Sequence, residues 1–103
     1  MSSIWNDDFK IEIPRHWDGK WRLVIVEIPE KKRGVRDRIR GLVVRLGFLR
    51  LQDSVWVYPY DCEELVTLLK TDLKIGRAVL YIIADAIEFD RPLRAHFGLP
   101  LSD

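Results

Sequence analysis

Lys31, Lys32, Arg33, Arg36, Arg38, Arg40 and Arg45 are opposed by a single acid, Asp37, within one stretch of the chain. Arginine forks and lysine ammonium groups bind phosphate oxygens, and a set of this kind grips a phosphodiester backbone without reading its sequence. The competing reading is a solvated face whose charges only aid solubility. Other reactive side chains are scattered. Cys62 is the lone cysteine, so no internal disulfide forms, and Cys62, His16 and His96 match no metal-ligand spacing. A thiol at a helix start can be acidified, but no general base accompanies Cys62, and a small apolar residue in a capping turn is the simpler role. Gln52 and Ser54 are polar positions in an apolar strand, suited to bonding neighbouring backbone or to positioning a phosphate, with the structural role favoured. Asp53 serves the turn between them. Trp5, Trp17, Trp21 and Trp56 stack on bases only if exposed, and Trp21 and Trp56 lie in strand patterns that favour packing. Catalytic triads and glycine-rich phosphate loops are absent.

These side chains need a scaffold, and 103 residues supply one domain. A hydrophobic content of 48% and a charged content of 32% exclude disordered and fibrous classes. No apolar run approaches the roughly 18 residues of a membrane span, and MSSIWNDDFK lacks signal- and transit-peptide features, so a cytoplasmic protein with no membrane partner is expected. The net charge of +1 conceals an asymmetry: −2 over residues 1–14, +7 over 15–50 and −4 over 53–103. The positive charge is gathered where the phosphate-binding set lies.

Residues 1–20 read as a lead-in, with a D-G turn signal at Asp18-Gly19. Trp21 to Ile28 is a β-branched run suited to a central strand, closed by Pro29. From Glu30 to Leu46, Val35, Ile39, Leu42, Val43 and Leu46 fall on one helical stripe, flanked by Arg33, Arg36 and Arg40 on one side and Arg38 and Arg45 on the other. Gly47 is placed as a left-handed C-cap, while Gly34 and Gly41 weaken the interior and invite either close approach by a partner or simple drift. Phe48 to Pro59 reads as two short strands broken near Gln52-Asp53. Asp61 and Glu64 form a D-x-x-E capping box for a second helix ending near Gly76. Ala78 to Ile87 is the fourth strand, and residues 88–103 form a tail without a clear element of its own. The order over residues 21–87 is βαββαβ, a ferredoxin-like α+β fold: a four-stranded antiparallel sheet with two helices on one face. Its other face is expected to be hidden in a dimer or under a tail, with Trp17 as a candidate cover.

The stretches WDGKWRLVIVEIPEKKR and GFLRLQDSVWVYPYDCEE resemble a known family. The apolar strand ending in an acid plus Ile28-Pro29, the basic helix directly after it, and the L-Q-x-S-V-W strand are similar to the CRISPR-associated adaptation protein Cas-two. Within that group they resemble the branch related to the middle domain of PaaX-type phenylacetate-degradation repressors, of which the W-D-G-K-W lead-in from Trp17 to Trp21 is more typical. The resemblance implies a homodimer that binds double-stranded DNA or RNA and serves as a scaffold beside an integrase subunit in spacer acquisition, with weak or no endonuclease activity. It also implies a catalytic and metal-binding carboxylate at the end of the first strand, here Glu27 where the family pattern has Asp, paired with its twin across the dimer axis. Two such carboxylates repel unless a proton or a cation such as Mg²⁺ lies between them. Glutamate, one methylene longer, moves the cation from where that chemistry expects it. The alternative implied role is the dimerisation domain of a PaaX-type repressor lacking its winged-helix reader. The tail is expected to add an edge strand across the dimer.

Overall fold

A computed structural model describes residues 3–102. Four strands, β1 (Trp21–Val26), β2 (Leu49–Gln52), β3 (Val55–Tyr58) and β4 (Val79–Ala84), form one antiparallel sheet in the order β2-β3-β1-β4. Helices α1 (Arg33–Arg45) and α2 (Glu63–Leu73) cover one side of it. This is the expected ferredoxin-like arrangement. Alternation along β1 explains the layering, because successive side chains of a strand point to opposite faces. Val24 and Val26 join Trp56, Tyr58 and Val79 under Ile39, Leu42 and Val43 of α1 and Leu65, Val66 and Leu69 of α2. Trp21 and Leu23 point the other way.

Element boundaries shift for local physical reasons. β1 ends at Val26, before Pro29, whose ring lacks an amide hydrogen, although the Glu27 amide still donates to the Ala78 carbonyl at 2.8 Å. The basic helix starts as a 3-10 turn over Glu30–Lys32 and becomes α-helical at Arg33. It closes with Gly47 at φ 96°, Gly47 N–H bonded to Val44 and Phe48 N–H to Val43, the paired bonds of a Schellman stop. A Cβ placed on Gly34 or Gly41 would meet nothing within 4 Å, so close packing within the chain does not explain either glycine. The expected D-x-x-E box is not what starts α2. Its N-cap is Cys62, and Asp61 instead accepts the Glu63 amide at 3.2 Å and the Tyr81 hydroxyl at 3.3 Å. The helix stops at Lys74, in left-handed conformation at φ 53°, ahead of Gly76. β4 ends at Ala84 rather than Ile87.

The largest departure is the tail, which forms no edge strand among the described residues. Residues Arg91–His96 form helix α3, folded back over the sheet face that α1 and α2 leave open. Leu93 and Leu99 bury against Trp21 and Val57, with Trp17 and Phe97 beside them. Trp17 lies 5.0 Å from the Trp21 ring, so it does cover part of that face. Asp90 explains why helix wins. Its carboxylate accepts the Trp21 indole N–H at 3.1 Å and the Arg94 guanidinium at 2.9 Å, tying the start of α3 to β1. The hydrogen bond from Arg94, helped by that from Trp21 and by the Arg94 charge, holds the Asp90 carboxyl below its usual range. The cover is partial: Leu51, Leu80 and Ile82 stay 39%, 52% and 38% exposed.

Candidate nucleic-acid interface

Helix α1 is held in one rotational setting. Ile39, Leu42 and Val43 are buried in the core, so the remaining flanks of the helix have fixed directions. The structure then separates the seven basic residues into three groups. Lys31, Lys32 and Arg33, at the amino end, are exposed, and Arg40 is half-buried; none of these four side chains makes a hydrogen bond or ion pair among the described residues. Arg36 is engaged by its neighbours, Glu30 at 3.0 Å and Asp37 at 3.5 Å. Arg38 and Arg45 belong to a different structure altogether. The Arg38 guanidinium lies 4.4 Å over the Trp5 ring, and Arg45 donates to the Ile4 carbonyl at 2.9 Å.

Those two contacts show what the lead-in does. A 3-10 turn at Ser3–Trp5 inserts Ile4 into the core, fully buried, while the Trp5 indole N–H donates to Asp72 of α2 at 3.0 Å. The turn thus bridges both helices. Nothing in the periodicity of α1 distinguishes its outer flank from the flank that holds this turn. The available signal was the pair Ile4-Trp5, two large apolar residues in an otherwise polar start.

Glu27 is exposed and stands just past β1. Its Oε1 accepts the Ser54 hydroxyl at 2.8 Å, while the Val26 amide donates to the Ser54 carbonyl at 2.8 Å. Ser54 thereby closes the β2–β3 turn onto the end of β1, which is its structural role. Among the described residues no three His, Cys, Asp or Glu side chains come together. At Glu27 one carboxylate oxygen is already engaged by Ser54, and the described residues of one chain gather no three-ligand cluster around a cation there.

A buried guanidinium organises the opposite end of β1. Arg22 is on the helix side of the sheet, where its Nη1 and Nη2 donate to the two carboxylate oxygens of Asp18 at 2.9 and 2.7 Å. Nη1 also donates to the Lys20 and Pro59 carbonyls at 3.1 and 2.9 Å. The Arg22 hydrogen bonds hold the Asp18 carboxyl down at about 2. Beside this pair a cleft of about 520 Å³ separates the lead-in from the body, with Phe9, Ile11, His16, Tyr60 and Cys62 on its walls. Burial pushes the Cys62 thiol up to about 12, so it is a packed apolar group and no nucleophile.

No helix of the described residues is long and apolar enough to cross a membrane. No match was found among curated proteins. A family model does match: residues 14–95, from the lead-in to α3, fit the description "PaaX protein central Cas2-like domain". That span holds the sheet, both packed helices and the whole basic stretch. The chain belongs to the PaaX central Cas2-like domain family.

Proposed function

We propose that this chain is a self-associating Cas2-like module that grips duplex DNA or RNA by its phosphates. The carrying observation is the set Lys31, Lys32, Arg33 and Arg40: cations without partners among the described residues, on a helix whose apolar stripe is locked into the core. Cations already satisfied by acids would gain little from phosphate, whereas these four lose only water. Self-association is supported by Leu51, Leu80 and Ile82, apolar side chains left exposed on one sheet face. A duplex titration at several salt concentrations tests the reading. Each phosphate neutralised contributes about −0.9 to the slope of log affinity against log salt, so four cations give a slope near −3.6 per chain. Equal affinity across unrelated sequences is expected. No binding at low salt overturns the proposal.

Of the cellular roles, a repressor-type dimerisation domain is favoured by the match to a PaaX central domain. The second reading, a scaffold working with an integrase subunit in CRISPR spacer acquisition, rests on the Cas2-like fold. A neighbouring integrase gene and repeat array favour the scaffold; a neighbouring catabolic operon favours the repressor. Endonuclease activity through Glu27 and Mg²⁺ requires a second carboxylate from another copy, and such a cation would polarise a phosphate or acidify water. Weak or absent cleavage is expected. Cleavage that needs Mg²⁺ and vanishes in Glu27→Ala would establish the site.

A further inference from the structure

Strand β4 is an edge without the usual protection. Val79–Ala84 contains no charge and no proline, and its register with β1 is unbroken. Natural edge strands are commonly guarded by a charge, a proline or a bulge. The opposite edge, β2, carries Arg50 and a register irregularity before Gln52. On β4, by contrast, Leu80 and Ile83 are more than half exposed, one on each face of the sheet.

The backbone of β4 is oriented to accept another strand. In an antiparallel ladder, alternate residues turn both their N–H and C=O toward the same neighbour. The Glu27 amide donates to Ala78, and the register runs on through Ile25↔Leu80, Leu23↔Ile82 and Trp21↔Ala84. Ala78, Leu80, Ile82 and Ala84 therefore turn toward β1. Val79, Tyr81 and Ile83 turn their amides and carbonyls to the open edge, where no strand of the described residues meets them.

We infer that this edge takes β4 of a second copy, antiparallel, about a two-fold axis at Tyr81. The inference rests on the proposed self-association and names its surface. Charge selects the occupant and the register. Arg77, in the 3-10 turn before the strand, and Asp85, just after it, each stand four residues from Tyr81 in sequence, both exposed and neither in an ion pair among the described residues. Centred on Tyr81, Arg77 of each copy meets the partner's Asp85, Val79 pairs with the partner's Ile83, and Leu80 lies beside the partner's Ile82. Every outward amide and carbonyl of Val79, Tyr81 and Ile83 then has a partner. A slip of two residues sets Arg77 against the partner's Ile83 and loses both ion pairs; a slip of one turns the outward groups away from each other. Since Tyr81 of both copies shares a face, the two helical layers lie on the same side of one continuous sheet. Both α1 helices are thereby available to a single duplex.

Sedimentation velocity of the full chain over a range of concentrations tests this, with Arg77→Asp, Asp85→Arg, the combined reversal and Ile83→Lys. Wild type is expected to dimerise. Each single reversal sets like charges opposite one another twice per dimer and is expected to weaken association about tenfold, while the combined reversal restores it to within about threefold. Ile83→Lys, on the outward edge, is expected to abolish the dimer while thermal melts show a folded chain. A dimer indifferent to all four variants overturns the inference and leaves self-association through the open sheet face standing. A wild type that is monomeric throughout overturns both. Rescue by the combined reversal, absent from either single one, is an outcome that misfolding cannot produce.

Discussion

Asp18→Asn is the most direct test of how the lead-in is fastened. The substitution keeps an acceptor beside Arg22 and removes the negative charge from a pair in which the arginine side chain is 8% and the aspartate 49% exposed. Removing one partner of a fully buried pair costs about 3–5 kcal/mol. Half of Asp18 is in water, and the Lys20 and Pro59 carbonyls remain on Arg22, so screening reduces the expected loss to about 1–2 kcal/mol. For a domain of this size that lowers Tm by about 5–15 °C. The sign of the pH dependence follows from a carboxyl held at about 2 against an ordinary value of 3.8. A depressed carboxyl contributes stability that is fully present above 3.8 and is lost as pH falls through about 2. Urea melts of both proteins at neutral pH and across that acid window measure the gap. It is expected to be constant above the window and to close within it. Equal midpoints at neutral pH, or a gap that persists unchanged at the acid end, would refute the assignment of Asp18 as the counter-ion of Arg22.

Three further outcomes are expected. Leu93→Ala, which empties part of the packing between α3 and Trp21, is expected to cost about 2–3 kcal/mol in urea unfolding; an unchanged midpoint would mean α3 is not docked on the sheet. Arg40→Ala should flatten the salt slope of duplex binding by about 0.9 per chain with little change in stability, whereas Arg38→Ala should lower Tm and leave the slope unchanged; the reverse pattern would contradict the division of α1 into a free flank and an occupied one. Cys62 should react with iodoacetamide only as fast as the chain opens, because the thiol is buried and raised to about 12; rapid labelling of native protein at neutral pH would count against that burial.

Much of the fold is written in periodicity. The stripe from Val35 to Leu46 locates α1, and the β-branched run after Trp21 locates β1, because each pattern has one structure that buries it. Tertiary contacts decided the rest. The D-x-x-E spacing at Asp61 was a sound local signal, but the Tyr81 hydroxyl engages the same carboxylate and α2 starts later. The tail carried only Leu93, Phe97 and Leu99 as anchors. That they form a helix on the open face depends on Trp21 and Arg94 meeting Asp90, a contact between distant parts of the chain. At the candidate site, the basic set was visible as a set. Which of its members are free was not, since Arg38 and Arg45 are claimed by Ile4 and Trp5, far away in sequence.

The sheet is clad on both sides only toward Trp21, where α3 closes the second face; toward Val26 and Leu80 it has one cladding layer. Solvent hydrogen should therefore enter it as through a fabric frayed at one corner. Amides that join β1 to β3 near Trp21 would keep their protons longest, and in the isolated chain those along the outer side of β4 would surrender theirs first. Rigidity and readiness to recruit thus lie at opposite corners of one small sheet.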